Sequence, residues 1–238
     1  MKRFAFALAL AFVASSLCAS QVASDAVYGM MCVPVSTQKA LICVPWDGAD
    51  GNAVKVKDLV MTNNLAAADQ LYVLDGTSYK GWILTDGAWV PVKSSSTIDG
   101  ITTAAGADAA SLARGLALWL VRGSSTPVNV FVYGKYNSQA VSTIVAAGST
   151  DTPTYALVAN ATTSDKAISA IAGGITGARA GDWIVIPGKK TLQYNGSAWK
   201  VMIGNIAVGA PADSQYKVPA GQGFWYVSRS AGEKTISL

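Results

Sequence analysis

The sequence predicts a mainly β protein built from two tandem, internally duplicated β-sandwich or barrel-like units with short helical turns. Three observations carry this reading. The 238-residue chain is 51% hydrophobic but only 13% charged, and its abundant Gly, Ala, Ser, Thr and Val, with seven Trp and nine Tyr spread throughout, suit short strands joined by tight turns. Apolar residues alternate at period two, as at Leu71 and Val73, at Val128, Val130 and Val132, and at Ile184 and Ile186, with turn-like DGTS, TDGA, IPGKK and YNGS between such runs. Finally, a series of anchors recurs in the same order in both halves of the chain.

The chain opens with Met1-Lys2-Arg3, an apolar run from Phe4 to Val13 and small residues through Ser20. That run is too short for a helix spanning a bilayer, which takes about 20 residues. It reads as a secretory signal peptide over residues 1–20, cleaved after Ser20, and the mature chain is expected to be extracellular, at the cell surface or periplasmic. Lipid attachment at Cys18 is the competing reading, which Ser15 and Leu17 fit poorly. Removal of the leader leaves 16 basic and 14 acidic residues, a formal balance of +2. Singly scattered Lys and Arg leave no footprint for nucleic acid and no polybasic membrane patch. The most apolar later stretch, around Leu116 to Val121, is closely flanked by Arg114 and Arg122, so no transmembrane segment is expected after the leader.

Residues 21–137 read as an N-terminal β-rich unit with a leading hairpin. In MCVPVSTQKALICVPW, a four-residue loop from Ser36 to Lys39 would place Cys32 directly opposite Cys43. Cross-strand Cβ atoms lie about 4.5–5.5 Å apart, close to disulfide geometry, and export permits oxidation, so a Cys32–Cys43 disulfide is expected. Residues 138–149 read as a linker, although Val141 to Ala146 suits a strand equally well. Residues 150–238 read as the C-terminal β-rich unit, in which SDKAISAIAGG carries a short helix ending at Gly173.

The anchors pair ADQLYV (68–73) with GDWIVI (181–186), GAWVPV (87–92) with SAWKVM (197–202), Ala107-Asp108 with Ala212-Asp213, and LARGLALWLVR (112–122) with VPAGQGFWYVS (218–228). The offset between copies falls from 113 to 106 residues along the chain, as small loop deletions between strands would produce. The leader, the YGMMCVPVS…ALICVPW segment, GDWIVIPG, SAWK and VPAGQGFWYVSR together resemble an uncharacterised paralogous family of secreted β-rich proteins of verrucomicrobia-like bacteria. The resemblance implies export and a β-rich fold, and no substrate.

The residues argue against ordinary catalysis. Without histidine there is no imidazole base, proton shuttle or metal ligand. Thirteen Asp and the single Glu233 are the only acids, and Asp47, Asp50, Asp75, Asp86 and Asp99 lie beside glycines or one residue from them, where turn hydrogen bonds account for them. DGADGN (47–52) lacks the oxygen side chains and final Glu of an EF-hand. Gly221-x-Gly223 leads into a strand rather than a helix, unlike a nucleotide loop. No cofactor, metal or catalytic residue is expected.

Aromatics are the remaining lead, because their faces stack on sugars and form interfaces. Trp89 with Trp199, and Trp119 with Trp225, recur in both copies and read as core. Trp46, Trp82 and Trp183, with Tyr79 and Tyr194, do not recur as anchors and are the candidate ligand or partner surface. Within PAGQGFWYVSR, only Gln222 and Tyr226 are left as candidates by the comparison of copies. The leading expectation is a secreted, non-enzymatic structural or interaction protein of the cell envelope or extracellular matrix, associating with itself or another surface protein. The alternative is a glycan-binding module using surface Trp and Tyr. An uncovered apolar strand edge would favour the first; a flat row of non-repeated Trp would favour the second.

Overall fold

The computed structural model describes residues 27–36, 38–59, 64–93 and 100–238. The leader, its cleavage site, Cys18 and Asp99 lie outside the described residues.

The first unit comprises β1 (Tyr28–Val35), β2 (Lys39–Cys43), β3 (Val54–Lys55), the single-turn α1 (Val56–Leu59), β4 (Gln70–Asp75), β5 (Ser78–Thr85), β6 (Ala88–Pro91), β7 (Ile101–Thr102), β8 (Ser111–Leu112), β9 (Ala117–Val121) and β10 (Val128–Lys135). The second comprises β11 (Ser142–Val145), β12 (Thr154–Ala159), β13 (Lys166–Ala167), α2 (Ile168–Gly173), β14 (Ile175–Thr176), β15 (Trp183–Val185), β16 (Leu192–Tyr194), β17 (Trp199–Ile203), β18 (Ile206–Gly209), β19 (Lys217–Val218), β20 (Gly223–Ser228) and β21 (Lys234–Ser237).

The duplication is topological. The main sheet of the first unit runs β2-β9-β4-β5-β6, and that of the second runs β12-β20-β15-β16-β17 before adding β18 at its outer edge. β1-β10 corresponds to β11-β21, with β14 added, and the two-residue ladder β3-β8 corresponds to β13-β19. The sheets stay open, so each unit is a sandwich-like packing rather than a closed barrel. Part of the expected linker is a strand, since β11 pairs with β21 from Ser142↔Ser237 to Val145↔Lys234.

Each unit buries its own core. Val33, Ile42, Leu71, Trp82, Leu118 and Leu120 are among the core of the first, and Val158, Ile171, Ile184, Trp199, Phe224 and Tyr226 are among that of the second. Period-two alternation sets these faces. In β9, Leu118 and Leu120 point inward while Trp119 points outward; in β20, Phe224 and Tyr226 point inward while Trp225 points outward.

The expected leading hairpin does not form. β1 pairs along its whole length with β10, Cys32 facing Phe131, whereas β2 joins the other sheet beside β9, Cys43 facing Ala117. The reason is local: Met31, Val33 and Val35 alternate into the core and the chain then crosses between sheets, leaving Cys32 exposed while Cys43 is fully buried. Both thiols are free, so the disulfide expectation is overturned.

Candidate functional site

The outer faces of the two main sheets meet each other. β2 touches β20, β12 touches β9, and β9 touches its own counterpart β20, a reciprocal pattern that relates the units by an approximate two-fold. Cys43, Ala117 and Ala159 form a small buried cluster in this contact, with Leu157 packed against it. The Cys43 N–H donates to the Gly221 carbonyl at 2.8 Å, and the Gln222 side-chain amide donates to the Pro34 carbonyl at 3.3 Å. Gly221 has a φ of +75°, and a Cβ there would run into Met31 and Val33 of the first unit, so both its turn and the packed neighbour require glycine.

An aromatic series crosses the contact. Trp119 packs on Trp225, ring centroids 6.2 Å apart and planes at 45°, and Trp225 meets Tyr155 edge-on at 6.4 Å and 87°. Beside this series lies a cavity of about 610 Å³ lined by Leu74, Thr77 and Tyr79 of the first unit and by Thr154, Tyr155, Val185, Trp225 and Val227 of the second. Burial pushes the Tyr79 phenol above its ordinary value, so it is protonated at neutral pH.

The candidate surface residues do not form one patch. Trp82 is 2% exposed and inside the first core, its indole donating to the Ala105 carbonyl at 2.9 Å. Trp46 is 4% exposed and packed against Tyr136 at 5.6 Å. Both are therefore corrected from surface to interior: Trp82 alternates with Leu84 on the inward face of β5, and Trp46 closes the end of the core beneath Gly29. Trp183 is half-buried, with the Arg229 guanidinium 4.1 Å above its ring. Tyr194 packs on Trp199 at 5.2 Å. Tyr79 alone among the five lines the cavity.

Of the repeated Trp pairs, Trp89 and Trp199 are core, 5% and 7% exposed. Trp119 and Trp225 are corrected from core to the contact between units. Tyr226 is fully buried, and its hydroxyl donates to Asp182 Oδ2 at 2.8 Å. Position-by-position comparison of the copies would have found Tyr155, which occupies in β12 the place that Lys39 occupies in β2: Tyr155 faces Val227 and Lys39 faces Val121.

The carboxylates mostly serve the fold. Asp69 and Asp182 are both fully buried and equivalent to the bond: each accepts from the N–H three residues earlier (Ala66, Arg179; both 3.1 Å) and from the N–H four residues past the repeated Trp (Gly123 at 2.9 Å, Arg229 at 2.8 Å). In DGADGN, Asp50 Oδ1 accepts from the Asn52 N–H at 3.0 Å; the Asn52 side chain first, and then this N–H, hold the Asp50 carboxyl below the usual range, and the Gly48 N–H closes the turn on the Asn52 carbonyl at 2.6 Å. No helix among the described residues is long and apolar enough to cross a membrane. Comparisons with family models, curated proteins and solved structures find no match to the chain.

Proposed function

We propose that the protein is an exported, non-enzymatic structural or interaction component of the cell envelope or extracellular matrix, associating through the outer edge of its second main sheet. One observation carries the reading: β18 lies at the end of that sheet with Ile206 69% and Val208 53% exposed beside Ile203. An unpaired strand edge offers free N–H and C=O groups, and natural edges are commonly blunted by charge or proline. The corresponding edge of the first unit, β6, contains Pro91. β18 itself has neither charge nor proline among Ile206, Ala207, Val208 and Gly209, and it is an addition to the repeated topology. A second copy of the chain is the occupant that such an edge fits best, strand beside strand.

The glycan alternative in its original form, a platform of non-repeated Trp, loses support because Trp46 and Trp82 are interior. Sedimentation velocity of the chain from residue 21 over a concentration series tests the assembly reading. Reversible association, lost in Ile206→Lys/Val208→Lys with an unchanged thermal midpoint, is the expected result. A strict monomer at high concentration that also fails to bind whole cell envelopes overturns it.

A further inference from the structure

We propose that the cleft between the units binds a neutral glycan of equatorially linked pyranoses. The inference concerns a different surface from the assembly edge and stands or falls independently of it.

The cleft is where the two copies diverge. β15 pairs with β20 so that Val185 faces Trp225, and β4 pairs with β9 so that Tyr72 faces Trp119. Val185 and Tyr72 therefore occupy equivalent places. In the first unit the Tyr72 ring is fully buried, lying over Gly81, where a Cβ would collide with it. In the second the shorter Val185 leaves the neighbourhood of Trp225 open, and Tyr155 stands where the first unit has Lys39. Two substitutions between copies thus turn a filled surface into an aromatic-walled cleft on one side of the Trp119–Trp225 contact.

The lining selects the ligand class. At about 610 Å³ the cavity falls within the size range of small-molecule sites, about 300–1,000 Å³. No charged side chain lines it, so an ionic ligand would lose its hydration without gaining a partner. Trp225 and Tyr155 stand at 87° and offer two aromatic surfaces at a corner. An equatorially substituted pyranose carries a flat patch of C–H groups that an aromatic face can cover, and a rim of hydroxyls. Thr77, Tyr79 and Tyr155 supply hydroxyls that both donate and accept, while Thr154, whose hydroxyl donates to the Ala147 carbonyl at 2.8 Å, supplies an acceptor.

The test is titration of cellohexaose, chitohexaose and β-1,4-mannohexaose into the chain from residue 21, followed by calorimetry and Trp fluorescence. At least one of the three should bind, with a fluorescence change from Trp225. Val185→Tyr, which places in the second unit the residue the first unit already carries, and Tyr155→Ala should each weaken binding about tenfold or more. Both variants should keep the wild-type far-ultraviolet circular dichroism and a cooperative thermal transition, and Ile206→Lys/Val208→Lys should bind as the wild type does. Three results each overturn the proposal: no binding of any of the three saccharides up to about 10 mM, the weak end of measurable affinity; binding unchanged in both cleft variants; or uptake of the apolar dye Nile red, blocked by Val185→Tyr, without saccharide binding.

Discussion

Trp119 and Trp225, equivalent residues of two duplicated units, pack against each other with ring centroids 6.2 Å apart. A residue that touches its own counterpart lies near the axis relating the copies, so one position serves both sides of the contact. The duplication is thereby also the means of association: what each copy buries against the other is the same outward stripe of the same strand.

Truncating either ring should loosen the units more than it harms either core. Trp119→Ala and Trp225→Ala should each cost about 2–4 kcal/mol, towards the lower part of the range for large aromatic truncations because both rings are half-buried. Urea unfolding followed by circular dichroism should become broader or biphasic as the units uncouple. A single sharp transition with an unchanged midpoint in both variants would show that the pair contributes nothing to coupling.

The thiols should behave as two unlike groups. Cys32 is exposed and Cys43 fully buried, with its Sγ 3.4 Å from the Asn160 carbonyl oxygen and burial pushing its thiol far up. In the chain from residue 21, a thiol reagent should label Cys32 at once and Cys43 only after denaturant is added. Absence of labelling without a reductant, followed by labelling of both residues after reduction, would restore the disulfide.

Stability should fall on the alkaline side. Burial, followed by the hydrogen bond to Asp182 and that carboxylate's charge, raises the Tyr226 phenol far above its ordinary 10.0. The folded state then retains a proton that the unfolded chain releases above pH 10, so this contribution to stability is complete below that value and declines as pH rises through it. Lys234 acts in the opposite sense: burial lowers its folded value below 10.5, so its penalty is relieved as pH climbs towards 10.5. Tyr226 has the larger shift and should dominate. Urea titrations between about pH 8 and about pH 11 should show a decline that Tyr226→Phe flattens. An equal decline in that variant would assign the loss to other tyrosines.

Much of the fold was legible because alternation and duplication are local or near-local signals. Trp89 and Trp199 were identifiable as core from recurrence alone. Recurrence misled at Trp119 and Trp225, since a duplicated residue can be shared for the contact between copies as readily as for the core within each. Leu116, Leu118 and Leu120 alternate and assign Trp119 to the opposite face, a signal that recurrence overrode. The Cys32–Cys43 hairpin failed for a different reason. Whether a chain turns back beside itself or crosses to a facing sheet depends on partners such as β10, almost a hundred residues away. The cleft was not legible, because it arises from what Val185 leaves unfilled, and an absence of volume has no sequence pattern.

The two buried carboxylates also show how one fixture was kept through divergence. In the first unit Arg122 of the extension beyond β9 lies 3.5 Å from Asp69; in the second its equivalent is Ser228, and the cation is Lys234, six residues on, 3.8 Å from Asp182. Lys234 is held by donating to Ser228 Oγ at 2.7 Å and to the Ser230 carbonyl at 2.6 Å. The residue equivalent to Lys234 in the first unit is Val128, so cation and small partner have exchanged places along the chain. Lys234→Val should therefore cost about 3–5 kcal/mol by leaving a buried carboxylate without its cation. Adding Ser228→Arg in that background reproduces the arrangement of the first unit and should recover more than half of the loss, whereas Ser228→Arg alone should destabilise by placing two cations in one buried site. Urea midpoints of the three variants decide the matter. If Ser228→Arg makes Lys234→Val worse, the two units do not share an interchangeable site, and the matching bonds of Asp69 and Asp182 extend only to the backbone.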